Sequence, residues 1–268
     1  MSLSDAFKKG QCAFMPYVCV GDPSALFTVR LVKTLVDNGA DAIEFGIPFS
    51  DPIADGKTIQ AASQRALAGG MTPGKALASL AKIRASGVRV PIAVMTYYNI
   101  LFSAGLEKML ARIKQAGADG LIVPDVPLGE SWELRRACKK AGLELVLFAT
   151  PNCSGARLQK IASNASGFIY AVSVLGTTGA RSNVSREALQ LVRHVKKATF
   201  LPIAVGFGIS KPSHVRAFRA AGADGVIVGS GIVNIYSRYI EGGKIKEREA
   251  LSDVARFAKG MVSMCHRR

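Results

Sequence analysis

The feature that most restricts the fold of this chain is a regular alternation of short apolar runs with longer amphipathic segments. The runs have strand length and are bounded by turn formers, whereas the segments between them carry apolar residues at helical spacing. Eight runs predict strands, at residues 14–20, 41–46, 91–96, 120–123, 143–148, 167–172, 202–205 and 225–228. Helical spacing covers residues 25–38, 73–86, 104–116, 130–141, 155–164, 185–197 and 212–220. This alternation is typical of a parallel sheet covered by helices.

One unit of the pattern recurs in the sequence. NGADAIEFG begins at residue 38, AGADGLIVPD at 116 and AGADGVIVGS at 221. In each copy we expect the glycine to end a helix, the aspartate to open the turn and a strand to follow. Because no Pro-, Gly- or Ser-rich linker separates the units, we predict a single (β/α)8 TIM barrel over residues 1–268, with extra short helices. An open doubly wound sheet is the alternative, since a strand count does not prove closure.

Composition and charge exclude several classes of protein. Hydrophobic residues make up 49% and charged residues 20% of the chain, which indicates a globular protein with a large core. The formal net charge of +16 permits nucleic-acid binding. The basic residues, however, lie mainly on predicted outer helices without interleaved aromatic residues, so we interpret them as a solvated face. No apolar segment reaches the ~18 residues of a membrane span. We therefore expect neither a nucleic-acid nor a membrane partner.

The cysteines and histidines also restrict the interpretation. The five cysteines show no C-x-x-C spacing, which predicts reduced thiols in a cytoplasmic protein. The apolar run near the amino terminus is interrupted by Pro16 and followed by a helix pattern, so we do not expect a secretory leader. Of the three histidines, two fall in predicted helices and one among the last residues. A histidine triad or a metal site is therefore not expected.

An acidic residue interrupts the second predicted strand. In GADAIEFGIPFSDPIADG, residues 39–56, three apolar residues share one face of the strand and Glu44 lies on the other. Both faces of a parallel strand are covered, so the Glu44 carboxyl should be desolvated and its pKa raised, as a general acid requires. Asp55, in the following loop, could face the same pocket. The alternative is that Glu44 is salt-bridged at a strand end while Asp51 and Asp55 form turns.

The loops after the predicted strands carry the other candidate groups, because a (β/α)8 barrel places its chemistry at the carboxyl ends of its strands. Gly206-Phe207-Gly208 and Gly229-Ser230-Gly231 follow the last two strands. We expect each to begin a helix whose amides bind phosphate, and plain tight turns are the alternative. The long loop 173–183 contains GTTG and suits a mobile lid. Residues 97–100 and 124–127 are predicted as loops after the third and fourth strands.

Together these segments resemble the tryptophan synthase alpha subunit family over almost the whole chain. The matching runs are FMPYVCVGDP at 14, GADAIEFGIPFSDPIADGKTIQ at 39, YYNILF at 97, PDVP at 124, GFIYAVSVLGTTGAR at 167, GFGIS at 206 and GSGIV at 229. The second run is the most specific. The resemblance implies a lyase of tryptophan biosynthesis that cleaves indole-3-glycerol phosphate to indole and glyceraldehyde 3-phosphate in a retro-aldol reaction, with no cofactor in this chain.

The resemblance also implies roles for individual residues. Glu44 matches the catalytic acid/base, and Asp55 matches a second carboxylate whose charge would stabilise protonated indole. Tyr170 matches a tyrosine beside the acid, with a plain aromatic wall as the alternative. Gly179, Gly208, Gly229 and Ser230 match phosphate-binding positions, Thr178 is a further substrate contact, and Tyr17, Ile100 and Phe207 match positions that enclose indole. A phenylalanine is common in the family at the position of Tyr17.

The resemblance finally implies a partner. The family works in an alpha-beta-beta-alpha complex whose beta subunit carries pyridoxal phosphate and joins the released indole to serine, giving L-tryptophan. The contact residues that we predict are Asp51, Pro52, Asp125 and Pro127. Two other interpretations are a stand-alone lyase that releases free indole and a barrel that binds a phosphorylated ligand and activates a partner without catalysis. The presence of both Glu44 and Asp55, and of the GTTG loop, argues against the second of these.

Overall fold

A computed structural model describes residues 1–172, 184–206 and 208–266. Its eight predicted strands close into a barrel in which each strand pairs in parallel with the next and the last pairs with the first. The strands are β1 (Ala13–Cys19), β2 (Ile43–Gly46), β3 (Ile92–Met95), β4 (Gly120–Ile122), β5 (Glu144–Ala149), β6 (Ile169–Val172), β7 (Ile203–Gly206) and β8 (Gly225–Val228). The prediction of a closed (β/α)8 barrel is confirmed, and the open sheet is excluded.

Helices surround this barrel. They are α1 (Ala25–Asp37), α2 (Lys57–Ala68), α3 (Pro73–Ala85), α4 (Tyr98–Ser103), α5 (Leu106–Gln115), α6 (Trp132–Ala141), α7 (Gly155–Asn164), α8 (Arg186–Ala198), α9 (Pro212–Ala221), α10 (Ser230–Ser237) and α11 (Glu247–Cys265). The seven predicted helices are all present. The additional ones are α2, α4, α10 and α11, of which α4 and α10 are short, with 6 and 8 residues. No described helix has the length and apolar character that crossing a membrane requires.

Two of these helices correct the sequence-based description. Residues 97–100 are not a loop, because α4 begins at Tyr98, whose backbone N–H donates to both carboxylate oxygens of Asp125 at 3.0 and 3.1 Å. A distant carboxylate therefore caps this short helix. The long helix α11 was missed altogether, although its buried residues recur every three or four positions: Ala250, Val254, Ala258, Met261 and Cys265.

Alternate residues of the strands form two separate cores. Side chains that point outward from the barrel, such as Ile43 and Phe45, belong to a large core between the strands and the helices. Side chains that point inward form a smaller core, which contains Met15, Ala42 and Ile122. Burial on both faces explains why the strands read as continuous apolar runs. Glu44 is two residues after Ala42, so the same alternation places its side chain inside the barrel.

The first residues of the chain close the amino-terminal end of the barrel. Leu3 is fully buried and belongs to the inner core, and the ring of Phe7 packs beside that core. Glycines in the strands leave the space that these two side chains fill. A Cβ at Gly120 would lie 2.4 Å from the Leu3 side chain, and one at Gly225 would lie 2.7 Å from Phe7. The Glu144 carboxylate accepts a hydrogen bond of 2.6 Å from the Leu3 backbone N–H. The sequence pattern did not predict this plug.

The three Gly-Ala-Asp copies have one common structure. Each glycine follows a helix with a positive φ that an L side chain rarely adopts, namely +95° at Gly39, +105° at Gly117 and +102° at Gly222. Each aspartate carboxylate accepts a hydrogen bond of 2.9 Å from a backbone N–H at the start of the preceding strand, in the pairs Phe14–Asp41, Ile92–Asp119 and Ile203–Asp224. The repeat thus links consecutive strands, as its turn signals indicate.

Candidate active site

Glu44 lies inside the barrel on β2, where only 1% of its surface is exposed. Burial raises the pKa of its carboxyl to about 8, and the nearby charge of Asp55 contributes in the same direction. The Tyr170 hydroxyl approaches the Glu44 Oε2 at 3.5 Å, a long hydrogen bond that partly opposes the rise in pKa. The expected burial and raised pKa of Glu44 are confirmed. No ion pair with Glu44 is found among the described residues, so the salt-bridge alternative is not supported there.

Asp55 occupies the loop between β2 and α2. The Tyr97 hydroxyl donates to its Oδ2 at 3.1 Å and accepts a hydrogen bond of the same length from the Ala54 backbone N–H. The Gln60 side chain donates to the Asp55 carbonyl at 2.8 Å. Burial raises the pKa of the Asp55 carboxyl to about 6, which the Tyr97 hydrogen bond moderates. The two carboxyls thus have pKa values on either side of neutrality, and Asp55 is the more acidic.

Tyr97 is a functional candidate that the sequence analysis did not single out. Its ring stacks on Phe49 at a centroid distance of 5.0 Å, which fixes the hydroxyl between the β2 loop and the end of β3. Burial raises the pKa of the phenol, followed by the charge of Asp55, so the group stays a proton donor. A tyrosine directly after a barrel strand and next to an acidic loop was the available signal.

Tyr17 on β1 and Tyr170 on β6 each lie over a glycine of the neighbouring strand. Tyr17 pairs in register with Glu44 and lies where a side chain at Gly46 would be, since a Cβ there would come within 2.4 Å of its hydroxyl. Tyr170 occupies the same space above Gly206, with a corresponding distance of 2.2 Å. Burial raises the pKa of both phenols well above the usual value. Both tyrosines are therefore neutral hydrogen-bond donors.

We expect Gly206→Ala to reduce turnover by about tenfold, because overpacking in a filled interior forces neighbouring groups to move. The added methyl would displace the Tyr170 ring and its hydroxyl from Glu44. Steady-state kinetics with a thermal unfolding scan measure the effect. Gly129→Ala is the matched control, since nothing lies within 4 Å of a Cβ at that position. Equal rates for both variants would contradict the packing of Tyr170 against Gly206.

The predicted phosphate positions lie at the ends of β7 and β8. Gly229 directly precedes α10, so the prediction that Gly229-Ser230-Gly231 begins a helix is confirmed. The matching prediction for Gly206-Phe207-Gly208 is wrong. Gly208 has a φ of +71°, and α9 begins only at Pro212. The physical reason is that a residue before proline disfavours helical backbone, and Lys211 is indeed extended.

Of the other predicted substrate positions, one lies beside Tyr17, one packs on the outer core and three are not described. A Cβ at Gly229 would lie 3.3 Å from the Tyr17 ring, so the end of β8 lies beside the tyrosine that pairs in register with Glu44. Ile100 lies on α4, is partly buried and packs on the outer core. Thr178, Gly179 and Phe207 lie outside the described residues. We call Gly208, Gly229 and Ser230, where the sequence predicts phosphate binding, the phosphate cradle.

The predicted partner-contact residues lie on connected loops at the same end of the barrel. Asp51 is exposed and Pro52 is half-buried, next to Ile53, whose surface is 82% exposed. Asp125 uses its carboxylate to cap α4, so its first role is internal. Pro127 is exposed. Among the described residues, no group of three or more side chains could hold a metal ion.

Comparison with known proteins identifies the family. A family model described as "Tryptophan synthase alpha chain" matches residues 3–263. A tryptophan synthase alpha chain of Methanosarcina acetivorans is 48% identical over 91% of this chain and 88% of its own length. One of Methanothermobacter thermautotrophicus is 41% identical over 94% and 91%.

Solved structures agree with this match. The tryptophan synthase A-subunit of the hyperthermophile Pyrococcus furiosus has a TM-score of 0.86 at 38% identity, covering 96% of this chain and 99% of that one. A chain of the a2b2 complex from the same organism has a TM-score of 0.87 at 39% identity, with the same coverage. The fold, the ordered motifs and these relatives agree: the chain belongs to the tryptophan synthase alpha chain family.

Proposed function

We propose that this chain cleaves indole-3-glycerol phosphate to indole and glyceraldehyde 3-phosphate. The observation that carries the proposal is a fully enclosed carboxyl, Glu44, whose pKa is raised to about 8, beside a second carboxyl, Asp55, whose pKa is about 6. At neutral pH the first is protonated and the second ionised. One can deliver a proton while the other supplies negative charge.

The chemistry divides between the two carboxyls. Glu44 donates its proton to indole C3, which leaves a positive charge centred on the ring nitrogen. The Asp55 carboxylate stabilises that charge through the indole N–H. The Glu44 carboxylate then takes the proton of the side-chain hydroxyl next to C3, and the C–O bond becomes a carbonyl. The carbon–carbon bond breaks, its electron pair returns to the indole ring, and Glu44 is protonated again. The Tyr170 hydroxyl is positioned to hydrogen-bond to the Glu44 carboxyl during both proton transfers.

The phosphate cradle anchors the other end of the substrate in this proposal. The amino end of α10 presents backbone N–H groups and the positive end of the helix dipole, and Ser230 adds a hydroxyl. Gly208 and Gly229 leave room for the oxygens to approach the backbone. Because Gly229 of the cradle borders Tyr17, and Tyr17 pairs in register with Glu44, one substrate can reach both the cradle and Glu44. We propose the same phosphate role for Gly179, contact roles for Thr178 and Phe207, and an indole-enclosing role for Tyr17 and Ile100.

The pKa values predict a bell-shaped dependence of kcat/KM on pH. Activity should rise as Asp55 ionises near its pKa of about 6, and fall as Glu44 loses its proton near its pKa of about 8. Because the two carboxyls interact, the limbs report the pair rather than either group alone. A kcat/KM profile between pH 5 and pH 9 tests this expectation. A rate that kept rising up to pH 9 would contradict a protonated Glu44.

We propose that the partner is a tryptophan synthase beta chain that contains pyridoxal phosphate. The support is the family and the a2b2 assembly of the Pyrococcus furiosus relative. On this chain Ile53, next to Pro52, is 82% exposed, and Phe102, on the helix that Asp125 caps, is 70% exposed. Exposed apolar side chains at a polar rim are typical of a protein interface. We propose one domain over residues 1–268 and a cytoplasmic location, in keeping with five free cysteines.

The deciding experiment measures indole release from indole-3-glycerol phosphate by the purified chain, with and without a beta chain and serine. We expect slow release that rises when the partner is added. Fast release without any effect of the partner would favour a stand-alone lyase. Absence of release under both conditions would favour a barrel that binds a phosphorylated ligand without catalysis.

A further inference from the structure

Three polar side chains meet in the interior near the carboxyl end of β1. Asp22, in the loop between β1 and α1, is fully buried. Its carboxylate accepts two hydrogen bonds of 2.8 Å from the Arg65 guanidinium on α2. It accepts a third, of 2.6 Å, from the hydroxyl of Tyr236 on α10, which is also fully buried. We call these three residues the Asp22 cluster. The proposed mechanism uses none of them.

The two helices joined by the Asp22 cluster both start at the proposed active site. α2 begins two residues after Asp55, and Gln60 in its first turn donates to the Asp55 carbonyl at 2.8 Å. α10 begins at Ser230 of the phosphate cradle. The two helices pack on each other and on β1. The Asp22 carboxylate therefore joins both helices to the loop after β1.

The cluster is suited to a fixed geometry. A buried carboxylate without partners is strongly unfavourable, and two parallel bonds from a guanidinium fix orientation as well as distance. The hydrogen bond that Arg65 donates to Asp22 raises the pKa of Arg65, and burial followed by the charge of Asp22 raises the pKa of Tyr236. Both donors therefore keep their protons. Any shift of α10 away from α2 would leave the Asp22 carboxylate short of one donor, so the arrangement resists displacement.

We propose that Asp22, Arg65 and Tyr236 are positioning residues for the phosphate cradle, because the contact at Tyr236, six residues after Ser230, holds α10 in place against α2 and β1. This proposal rests on the proposed function, since it assumes that the cradle binds the substrate's phosphate. The Asp22 cluster should therefore affect how tightly the cradle binds the phosphate end of the substrate. The proton transfers at Glu44, deeper in the barrel, should depend on the cluster much less.

Tyr236→Phe tests the proposal with little change in packing, because the ring can keep its edge contact with Phe27 at a centroid distance of 5.4 Å. Arg65→Lys keeps the positive charge and loses the two-pronged contact. For each variant we expect the Kd for inorganic phosphate and the KM for indole-3-glycerol phosphate to rise about five- to tenfold, as loss of one charge-assisted hydrogen bond predicts. The kcat and the Kd for indole should change less than about twofold, because the cluster touches neither Glu44 nor Asp55.

Tyr239→Phe is the matched control. Its hydroxyl also donates to an aspartate, Asp253, but that pair lies between the end of α10 and α11, away from the Asp22 cluster. This control should bind inorganic phosphate like the wild type. Circular dichroism and the thermal midpoint confirm that each variant is folded, so that weak binding is not mistaken for unfolding.

The outcomes separate this proposal from the proposed function. Wild-type affinity for inorganic phosphate in both folded variants would overturn the positioning role. Equal weakening of phosphate and indole binding would also overturn it, because that result describes general loosening of the barrel. A wild-type chain that binds inorganic phosphate but releases no indole would refute the proposed function, and the phosphate titration would still decide the role of the cluster. A wild-type chain that releases indole but binds no inorganic phosphate would refute the positioning role and leave the proposed cleavage standing.

Discussion

Glu44→Gln is expected to lower the turnover of indole-3-glycerol phosphate by about 10²–10⁴-fold, the usual contribution of a general acid–base group. The amide has nearly the same shape as the carboxyl, but it can neither deliver a proton to C3 nor take one from the hydroxyl. Binding of inorganic phosphate should remain near the wild-type value, because the cradle lies on other loops. Kinetics and phosphate titration together check this expectation. A variant that kept most of its turnover would exclude Glu44 as the acid/base.

The same substitution should also stabilise the folded protein at alkaline pH. The Glu44 pKa rises from 4.5 to about 8 on folding, so the folded chain keeps a proton that the unfolded chain releases over this interval. The Glu44 contribution to stability is therefore lost progressively as the pH rises from the unfolded to the folded pKa. Glutamine does not titrate, so we expect a gain of at least about 1 kcal/mol in the free energy of unfolding at pH 8. Urea unfolding at pH 4 should show no such gain.

Asp55→Asn is expected to reduce kcat by roughly 10²–10³-fold, as loss of a preorganised stabilising group does in other enzymes. The amide keeps the hydrogen-bonding shape but removes the negative charge that opposes the charge on the indole nitrogen. Because the pKa of Asp55 is about 6, the wild-type group is mostly ionised at neutral pH. If KM alone changed, Asp55 would only orient the substrate.

Tyr97→Phe provides an intermediate case for the Asp55 experiment. It removes the hydroxyl that donates to Asp55 and leaves the stacked ring in place. That hydrogen bond lowers the Asp55 pKa, so the acidic limb of the pH profile should move to higher pH in the variant. Tyr98→Phe is the control, since this adjacent tyrosine packs on Phe102 instead. An acidic limb that did not move would separate Tyr97 from the titration of Asp55.

The parts of the fold that could be predicted are those set by local patterns. Strands buried on both faces have continuous apolar sequences, and the glycine and aspartate of each repeat specify a turn of fixed hand, as at Gly117 and Asp119. The burial and the raised pKa of Glu44 were predictable because a single carboxyl among apolar residues of a parallel strand is desolvated. Its separation from Ile43 and Phe45 followed from the two-residue period alone.

The parts that could not be predicted depend on contacts between distant residues. The helix that starts at Tyr98 is capped by Asp125, and Leu3 fills the space above Gly120. Neither relation has a signature in the local sequence, because the partner lies tens of residues away. That α9 begins at Pro212 and not at Gly208 has a local cause, because the residue before a proline disfavours helical backbone and Lys211 is extended. The arrangement of Arg65 and Tyr236 around Asp22 belongs to the same class of long-range contacts.

The plug at the amino-terminal end of the barrel closes one of the two ends through which a product could leave. With Leu3 and Phe7 packed beneath the inner core, a small apolar product formed next to Glu44 faces a sealed floor. Its way out runs toward the opposite end, where the exposed side chains of Ile53 and Phe102 lie. A protein bound to those side chains would lie on that exit route and could take up the product directly. The earliest residues of the chain, remote from the chemistry, thereby help to decide which way the product travels.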